Sequence, residues 1–504
     1  MEKAKINYKH ILLGILFFVG ILSFVDMGDR PEIVRTLAIT FLIAFWWLTE
    51  ALPIGMTSLL PIVLFPLFGV LNGKEVSGAY INYIIFLFIG GFIMALAIEK
   101  WDLHKRMALK ILSIAGSSFF SLMFGFMLCS SFLSMWISNT AAAMMMIPIG
   151  ISIASVLNKK YGEKTIEKFN TNLFLSIAYA CSIGGVATLV GTPPNLSFLR
   201  ISEILYPNIP EISFAQWMLA ALPVTICMFL VTLAFLYLTG VPKQENRGGL
   251  DKNYFKKEYK ALGKTTTEQK RVFYVFMLLV FLWLFRKELV LGSFCIPGWS
   301  QLFEKPGFIN DGTVAIFIAF LLFIIPSSKK NTPLVTWEIT KKIPWHVVFL
   351  LGGGFAIAKA FVSSGLSVYL GNQLTSLASF SDLGMITAVV TGVTFLTEFT
   401  SNTATTEILL PVISSVANII KLNPLVLMLA VTFASSMAFM LPAATAPNAL
   451  VFGTGKIKMW EMVKAGFFLN LIAIVVVVLV LLFWVTYVFQ INFHTFPDWA
   501  LVKK

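Results

Sequence analysis

Eleven apolar runs near residues 10–26, 35–51, 54–71, 81–99, 173–190, 215–239, 272–286, 312–326, 346–362, 423–440 and 463–488 set the terms for this chain. Each approaches the length needed to cross about 30 Å of hydrocarbon. In lipid every backbone N–H and C=O must be satisfied within the protein, so only helices or a closed barrel can span. The runs are far longer than the roughly 10-residue alternating strands of a barrel, which leaves an all-α polytopic membrane protein. Composition agrees: of 504 residues 58% are hydrophobic and 12% charged, and the mean hydropathy is +0.84. Such a chain is not a soluble protein. The first run is followed by Asp26, Asp29 and Arg30, with no small-residue cleavage site, and reads as a retained span.

Two further apolar stretches, 117–157 and 384–420, are each interrupted near the middle by Ser-Asn-Thr. Polar backbone at membrane depth is tolerated only against protein or a wet cavity, so each stretch is expected to be a re-entrant hairpin. With the amino terminus inside, eleven crossings and two hairpins place the basic loops at 100–106, 159–168, 243–271 and 329–342 together in the cytoplasm, as the positive-inside rule requires. The net charge of +13 is therefore a topology signal rather than a nucleic-acid footprint. A multi-pass protein of the inner or plasma membrane is expected. The Lys-rich loop with Gly248, Gly249 and Gly263 reads as a cytoplasmic linker between two halves.

The halves repeat. Gly90-Gly91-Phe92 recurs as Gly353-Gly354-Phe355, Ser138-Asn139-Thr140 as Ser401-Asn402-Thr403, and Pro148 as Pro411, each 263 residues later. An odd number of crossings separates the copies, so the repeats are inverted, an arrangement of secondary transporters with midplane sites. After each hairpin comes a second break, Gly191-Thr192-Pro193-Pro194-Asn195 and Ala444-Thr445-Ala446-Pro447-Asn448. Proline removes a donor and Gly or Ala leaves room, so both spans should unwind there and expose carbonyls and helix N-termini.

The chemistry on offer is neutral. Ser138, Asn139, Ser401 and Asn402 can donate to a carboxylate or coordinate a cation through oxygen, and neither tripeptide region holds an arginine or lysine. A bound anion must lean on hydrogen bonds, helix N-termini and a co-bound cation. Ser134 precedes Ser138, and Thr397 precedes Ser401, by one helical turn. Those hydroxyls, with unwound carbonyls near Gly191 and Ala444, make an all-oxygen set suited to Na+.

The paired Ser-Asn-Thr motifs and Thr-Pro-Pro-Asn-type breaks together resemble the divalent anion/sodium symporter family of dicarboxylate and citrate transporters, over nearly the whole chain. The resemblance implies a homodimer with a fixed scaffold (1–107 and 272–370), a mobile transport part (108–240 and 371–504) and a linker at 241–271, working as an elevator. It implies substrate contacts at Ser138, Asn139, Thr140, Ser401, Asn402, Thr403 and Thr445. It implies one Na+ site at Ser134, Ser138, Asn139 and the Gly191 carbonyl, and another at Thr397, Ser401, Asn402 and the Ala444 carbonyl. The expected activity is sodium-coupled symport of C4-dicarboxylates such as succinate, malate or fumarate. A sodium-independent exchanger that also takes 2-oxoglutarate is the alternative, and sulfate, citrate and an anion channel stay open. Ala446 departs from the family, which usually has proline there, and puts substrate preference in question.

Other features carry less. Glu398 and Glu407 flank the second tripeptide inside an apolar hairpin and read as tethers to a basic or hydroxyl partner rather than as coupling groups. Glu50 reads as a helix-junction residue. Gly453-Thr454-Gly455-Lys456 lacks the flanking Gly and Ser/Thr of a phosphate loop, so no nucleotide site is expected. The four cysteines and four histidines are scattered singly, which offers neither a metal site nor the constellation an enzyme would need.

Overall fold

The computed structural model describes residues 8–27, 30–241, 249–251, 253–291, 294–329, 331–373, 380–493 and 495–501. Lys243 and Gly248 of the linker, Asp29 and His494 lie outside the described residues. Every apolar run has become helix: Tyr8–Phe24, Pro31–Thr49, Ile54–Thr57 with Leu60–Leu67, Tyr83–Lys100, Glu163–Val186, Phe214–Gly240, Thr267–Leu284, Asp311–Ile324, Trp345–Ser364, Pro424–Ser435 and Met459–Leu479. Six helices among the described residues are long and apolar enough to cross a membrane unaided, one of them the hairpin arm Asn139–Tyr161. Shorter helices end where local chemistry competes with the ladder. Ser58, for example, donates its hydroxyl to the Ile54 carbonyl (2.6 Å) and accepts from the Trp47 indole (3.0 Å). Glu50 closes Pro31–Thr49 in the left-handed region (φ 45°), the junction role its position suggested.

The repeat is visible in the element boundaries. Leu103–Ala115 pairs with Leu366–Gln373, Phe119–Ser134 with Asp382–Leu396, and Asn139–Tyr161 with Asn402–Ile419, each start 263 residues apart. The spacing then drops to 253 at the breaks, where Pro193–Leu205 pairs with Ala446–Gly453. The physical cause is shortening in the second copy. Its hairpin return arm has 18 residues against 23, and the helix leading to its break has 12 against 24.

Hydrogen bonds at its base show that the first apolar stretch goes in and returns on the same side. The Leu250 N–H donates to the Ser117 carbonyl (2.9 Å) at the start of the hairpin. At its end, Lys160 Nζ (2.7 Å) and the Tyr161 hydroxyl (3.0 Å) donate to the Gly249 carbonyl. Both ends thus close on two adjacent linker residues, and Gly249 (φ +154°) packs against the Ser117 backbone where no side chain fits. The second hairpin is based the same way, since Leu366–Gln373, which leads into it, packs on its return arm.

Close helix contact explains the Gly-Gly-Phe copies. A Cβ on Gly90 would lie 2.6 Å from the Ala315 backbone, and one on Gly353 would lie 2.8 Å from the Ser58 carbonyl. Without a hydrophobic drive between helices in lipid, small residues that let backbones touch are what hold them together. On the face opposite the linker, Arg286 is buried and bonds Asp311 (2.5 Å), Glu211 (2.6 Å) and the Ile309 carbonyl (2.8 Å). Asp311 in turn accepts from the Phe214 N–H (3.1 Å). This network ties the start of Phe214–Gly240 to the start of Asp311–Ile324.

Two elements were not foreseen. Leu289–Leu291 and Phe294–Ile296 form a two-stranded antiparallel ribbon, Leu289 facing Ile296, so the loop at 287–311 is not purely irregular. Within the linker, Tyr254–Ala261 is a helix packed on Leu103–Ala115, locked by Arg106, which bonds Gln269 (2.9 Å) and the carbonyls of Leu262 and Gly263 (both 3.1 Å).

The glycine contacts give a direct check. Gly90→Ala should destabilise the fold by about 1–3 kcal/mol through overpacking, whereas Gly392→Ala, with nothing within 4 Å, should be neutral. Thermal unfolding of the detergent-solubilised protein separates the two.

Candidate substrate and cation site

Each hairpin tip is a helix C-terminus, a short turn and a new helix N-terminus. Phe119–Ser134 stops, and Ser138 caps Asn139–Tyr161 by accepting from the Ala141 N–H (3.2 Å). Asp382–Leu396 stops at Thr397, and Ser401 occupies the cap position of Asn402–Ile419. The turns are polar because the orphan donors of a helix start must be met by something.

Beside each tip runs an unwound span, held open by one asparagine. Asn195 Nδ2 donates to the carbonyls of Gly185 (3.2 Å), Val186 (3.3 Å) and Thr188 (2.7 Å). Asn448 Nδ2 donates to those of Ala438 (3.2 Å) and Leu441 (3.1 Å). The acceptors ten and seven residues before each asparagine match between the copies, so the inverted repeat extends to single hydrogen bonds. Among the described residues neither Asn195 Oδ1 nor Asn448 Oδ1 has a hydrogen-bond partner, though both are buried.

The tips meet these breaks. The amide end of Asn139 lies 2.5 Å from Ser134 Oγ, 3.2 Å from the Cys181 carbonyl and 3.3 Å from the Gly191 carbonyl. With its nitrogen inward, Asn139 donates to the two carbonyls. With its oxygen inward, four oxygens face one another, an arrangement that a cation reconciles. In the second copy Thr397 Oγ1 lies 2.7 Å from Asn402 Oδ1 and 2.8 Å from the Ser435 carbonyl. Thr406 fixes that corner by donating to the Asn402 carbonyl (2.8 Å) and lying 2.8 Å from Ser435 Oγ.

Ser134, Asn139 and Gly191 are therefore brought together, as are Thr397 and Asn402. The Ala444 N–H donates to the Leu441 carbonyl (3.2 Å). At the second tip the Ser435 carbonyl accepts from the Thr397 hydroxyl. Thr445 caps Ala446–Gly453 by accepting from the Asn448 N–H (3.3 Å). Ser138, Thr140, Ser401 and Thr445 are half-buried, and Thr403 is buried. The carbonyls of Cys181 and Ser435 carry no signal in a sequence, because a backbone acceptor looks the same at every residue.

The repeats also interlock. Pro193–Leu205 packs on Asn402–Ile419, and Ala446–Gly453 packs on Asn139–Tyr161. Each half-helix N-terminus thus belongs to one copy and leans on the hairpin of the other. Four helix N-termini supply partial positive charge to this body.

Both acids of the second hairpin are tethers. Glu398 Oε1 accepts from the N–H groups of Phe439 (2.7 Å) and Met440 (2.9 Å) and from Asn470 Nδ2 (2.7 Å), while Oε2 accepts from the Leu441 N–H (3.0 Å). Its partners are amides rather than the basic or hydroxyl groups expected, because unwinding leaves exactly those backbone donors without acceptors. Glu407 accepts from the Ser197 hydroxyl (3.0 Å), and its carboxyl occupies the space that Gly354 leaves empty. Asn470, a buried polar residue in an apolar helix, was the detectable clue to Glu398's partner.

A helical membrane protein with two interlocked inverted repeats, each offering a polar hairpin tip to an unwound span, is built as a secondary transporter. The family described as the sodium:sulfate symporter transmembrane region matches residues 4–491, and this chain belongs to it, in keeping with the resemblance drawn from the paired motifs. The chain is 42% identical to the sodium-dependent dicarboxylate transporter SdcS of Staphylococcus saprophyticus over 490 residues, which is 96% of this chain and 92% of the relative. It is 41% identical to SdcS of Staphylococcus aureus, with the same coverage. Among solved structures it shares the fold of Neisseria gonorrhoeae MtrF (TM-score 0.56, 12% identity, 93% of this chain and 97% of that one). The Alcanivorax borkumensis YdaH transporter is also similar (TM-score 0.55, 12% identity, 84% and 88%).

The staple role of Glu398 is testable. Glu398→Gln turns one acceptor into a donor facing backbone N–H groups and should cost about 2 kcal/mol. Exposed Glu50→Gln should shift unfolding by less than about 0.5 kcal/mol. Equal shifts in the two melting curves would overturn the assignment.

Proposed function

We propose that this protein is a secondary active transporter that moves C4-dicarboxylates such as succinate, malate or fumarate together with sodium. The observation that carries the reading is the convergence of the Asn139 amide with Ser134 Oγ and the Cys181 and Gly191 carbonyls, an all-oxygen cage when the amide oxygen turns inward, with its counterpart of Thr397, Asn402 and Ser435. Neutral oxygens converging on one point suit a small hard cation. The sodium-dependent dicarboxylate transporters that are 41–42% identical support the same ion and the same substrate class.

Each tip pairs a cation position with the N-terminus of a helix. A carboxylate bound at Ser138-Asn139-Thr140, and a second at Ser401-Asn402-Thr403 with Thr445, would be met by hydroxyl, amide and backbone donors. The neighbouring cations offset its charge where no arginine or lysine is present. Two such tips favour a substrate with two carboxylates. Ala446, lacking the proline ring, leaves the wall next to Thr445 looser.

The transport part (108–240 and 371–504) slides against a dimeric scaffold (1–107 and 272–370), joined by the linker at 241–271. The interface between Pro31–Thr49 and the second hairpin supports this. A cavity of about 210 Å³ lies there, walled by Phe41, Phe45, Leu48 and Ile408 and reaching Ser401, and among the described residues no hydrogen bond crosses it. That apolar contact can shift without leaving polar groups unpaired, whereas the buried bonds of Arg286 and Asp311 to Glu211 and the Phe214 N–H, which join the two parts, have to break or travel with the motion.

Uptake of labelled succinate into empty proteoliposomes should require an inward sodium gradient and fail with potassium in its place. Uptake that ignores sodium and needs internal dicarboxylate would instead establish the exchanger. Asn139→Ala and Asn402→Ala should each lower sodium-driven uptake at least about tenfold, the loss of one well-placed polar contact, while the protein stays folded. Full activity in both variants would overturn the site.

A further inference from the structure

A second cavity, of about 630 Å³, lies away from the tips, between the interfacial helix Leu103–Ala115, the entering arm of the first hairpin and Thr267–Leu284. Its inner wall is apolar, with Ile111, Leu128, Phe132 and Phe273. Its rim carries Arg106, Lys110 and Lys270. Arg106 is consumed by the linker carbonyls, but Lys110 and Lys270 are exposed, and among the described residues neither has an acidic partner within hydrogen-bonding or ion-pair reach. Lys110 lies over the Tyr259 ring at 5.5 Å. We infer that this cavity binds an anionic phospholipid of the cytoplasmic leaflet, one acyl chain along Leu128, Phe132 and Phe273 and the phosphate between Lys110 and Lys270.

Three observations select that occupant. The mouth of the groove faces outward: Phe273 is 37% and Tyr274 69% exposed on helices that lie in lipid. The basic rim belongs to the side that the positive-inside rule assigns to the cytoplasm, and the adjoining linker helix adds Lys256, Lys257 and Lys260, a cluster of the kind that attracts anionic headgroups. Among the described residues the inverted copy has no such basic helix. Leu366–Gln373, which occupies the position of Leu103–Ala115 in the second half, has no lysine or arginine. The packing of the repeat therefore does not need Lys110, and the positive-inside asymmetry that sets it on the cytoplasmic side sets it where anionic headgroups lie.

Each lysine near a membrane surface contributes about fivefold to the binding of an anionic lipid, so the pair should give phosphatidylglycerol a preference of at least about tenfold over phosphatidylcholine. Native mass spectrometry of the full-length protein, titrated with each lipid, should show that preference, and Lys110→Gln/Lys270→Gln should reduce it to within about twofold. Leu128→Trp, which fills the groove and keeps both lysines, should also release phosphatidylglycerol. Equal retention of the two lipids by the unmodified protein, or undiminished preference in the double lysine variant, overturns the site. Retention by Leu128→Trp overturns the groove as the seat of the chain. Melting curves confirm that each variant is folded, and the measurement does not depend on what the protein transports.

Discussion

Everything in this protein follows from how it satisfies unwound backbone inside a membrane. A helix broken in lipid exposes N–H and C=O groups that water cannot reach, at a cost of several kcal/mol each. Two asparagines, Asn195 and Asn448, answer the carbonyls at matching distances along the chain. Glu398 answers three N–H groups of the second break. Once the irregular backbone is stapled in this way, the Gly191 carbonyl, with the Cys181 and Ser435 carbonyls of the helices that lead into the breaks, faces the hairpin tips.

The same constraint explains how a site for an anion can lack cationic side chains. A lysine or arginine at midplane depth is costly and would hold an anion too tightly to release. Helix N-termini and bound cations supply positive charge that is either spread over several dipoles or carried in with the substrate. Cross-packing of each half-helix on the opposite hairpin makes the arrangement indivisible: each candidate cation position is built within one repeat and braced by the other.

Much of this was legible in the residues. The apolar runs gave the helices, and Ser-Asn-Thr with its copy 263 residues later gave the hairpins, because polar groups in an apolar run have few uses. The breaks were legible from Pro193, Pro194 and Pro447. What stayed hidden has a common cause. Carbonyl positions such as those of Cys181 and Ser435 are properties of backbone geometry, and the ribbon of Leu289–Leu291 with Phe294–Ile296 and the linker helix Tyr254–Ala261 are set by tertiary packing that short polar-apolar patterns do not encode.

That shortening has a consequence of its own. In a transporter whose halves exchange roles, two identical repeats would make the inward-open and outward-open forms copies related by a two-fold rotation in the membrane plane, equal in free energy and equally populated. The first copy has ten more residues between its tip and its break, and its longer return arm is pinned to the linker through Lys160 and Tyr161. The degeneracy is removed, and a difference of about 1.4 kcal/mol is already tenfold in population. A length mismatch between two arms is thus a source of unequal populations for any carrier of this build that alternates between faces.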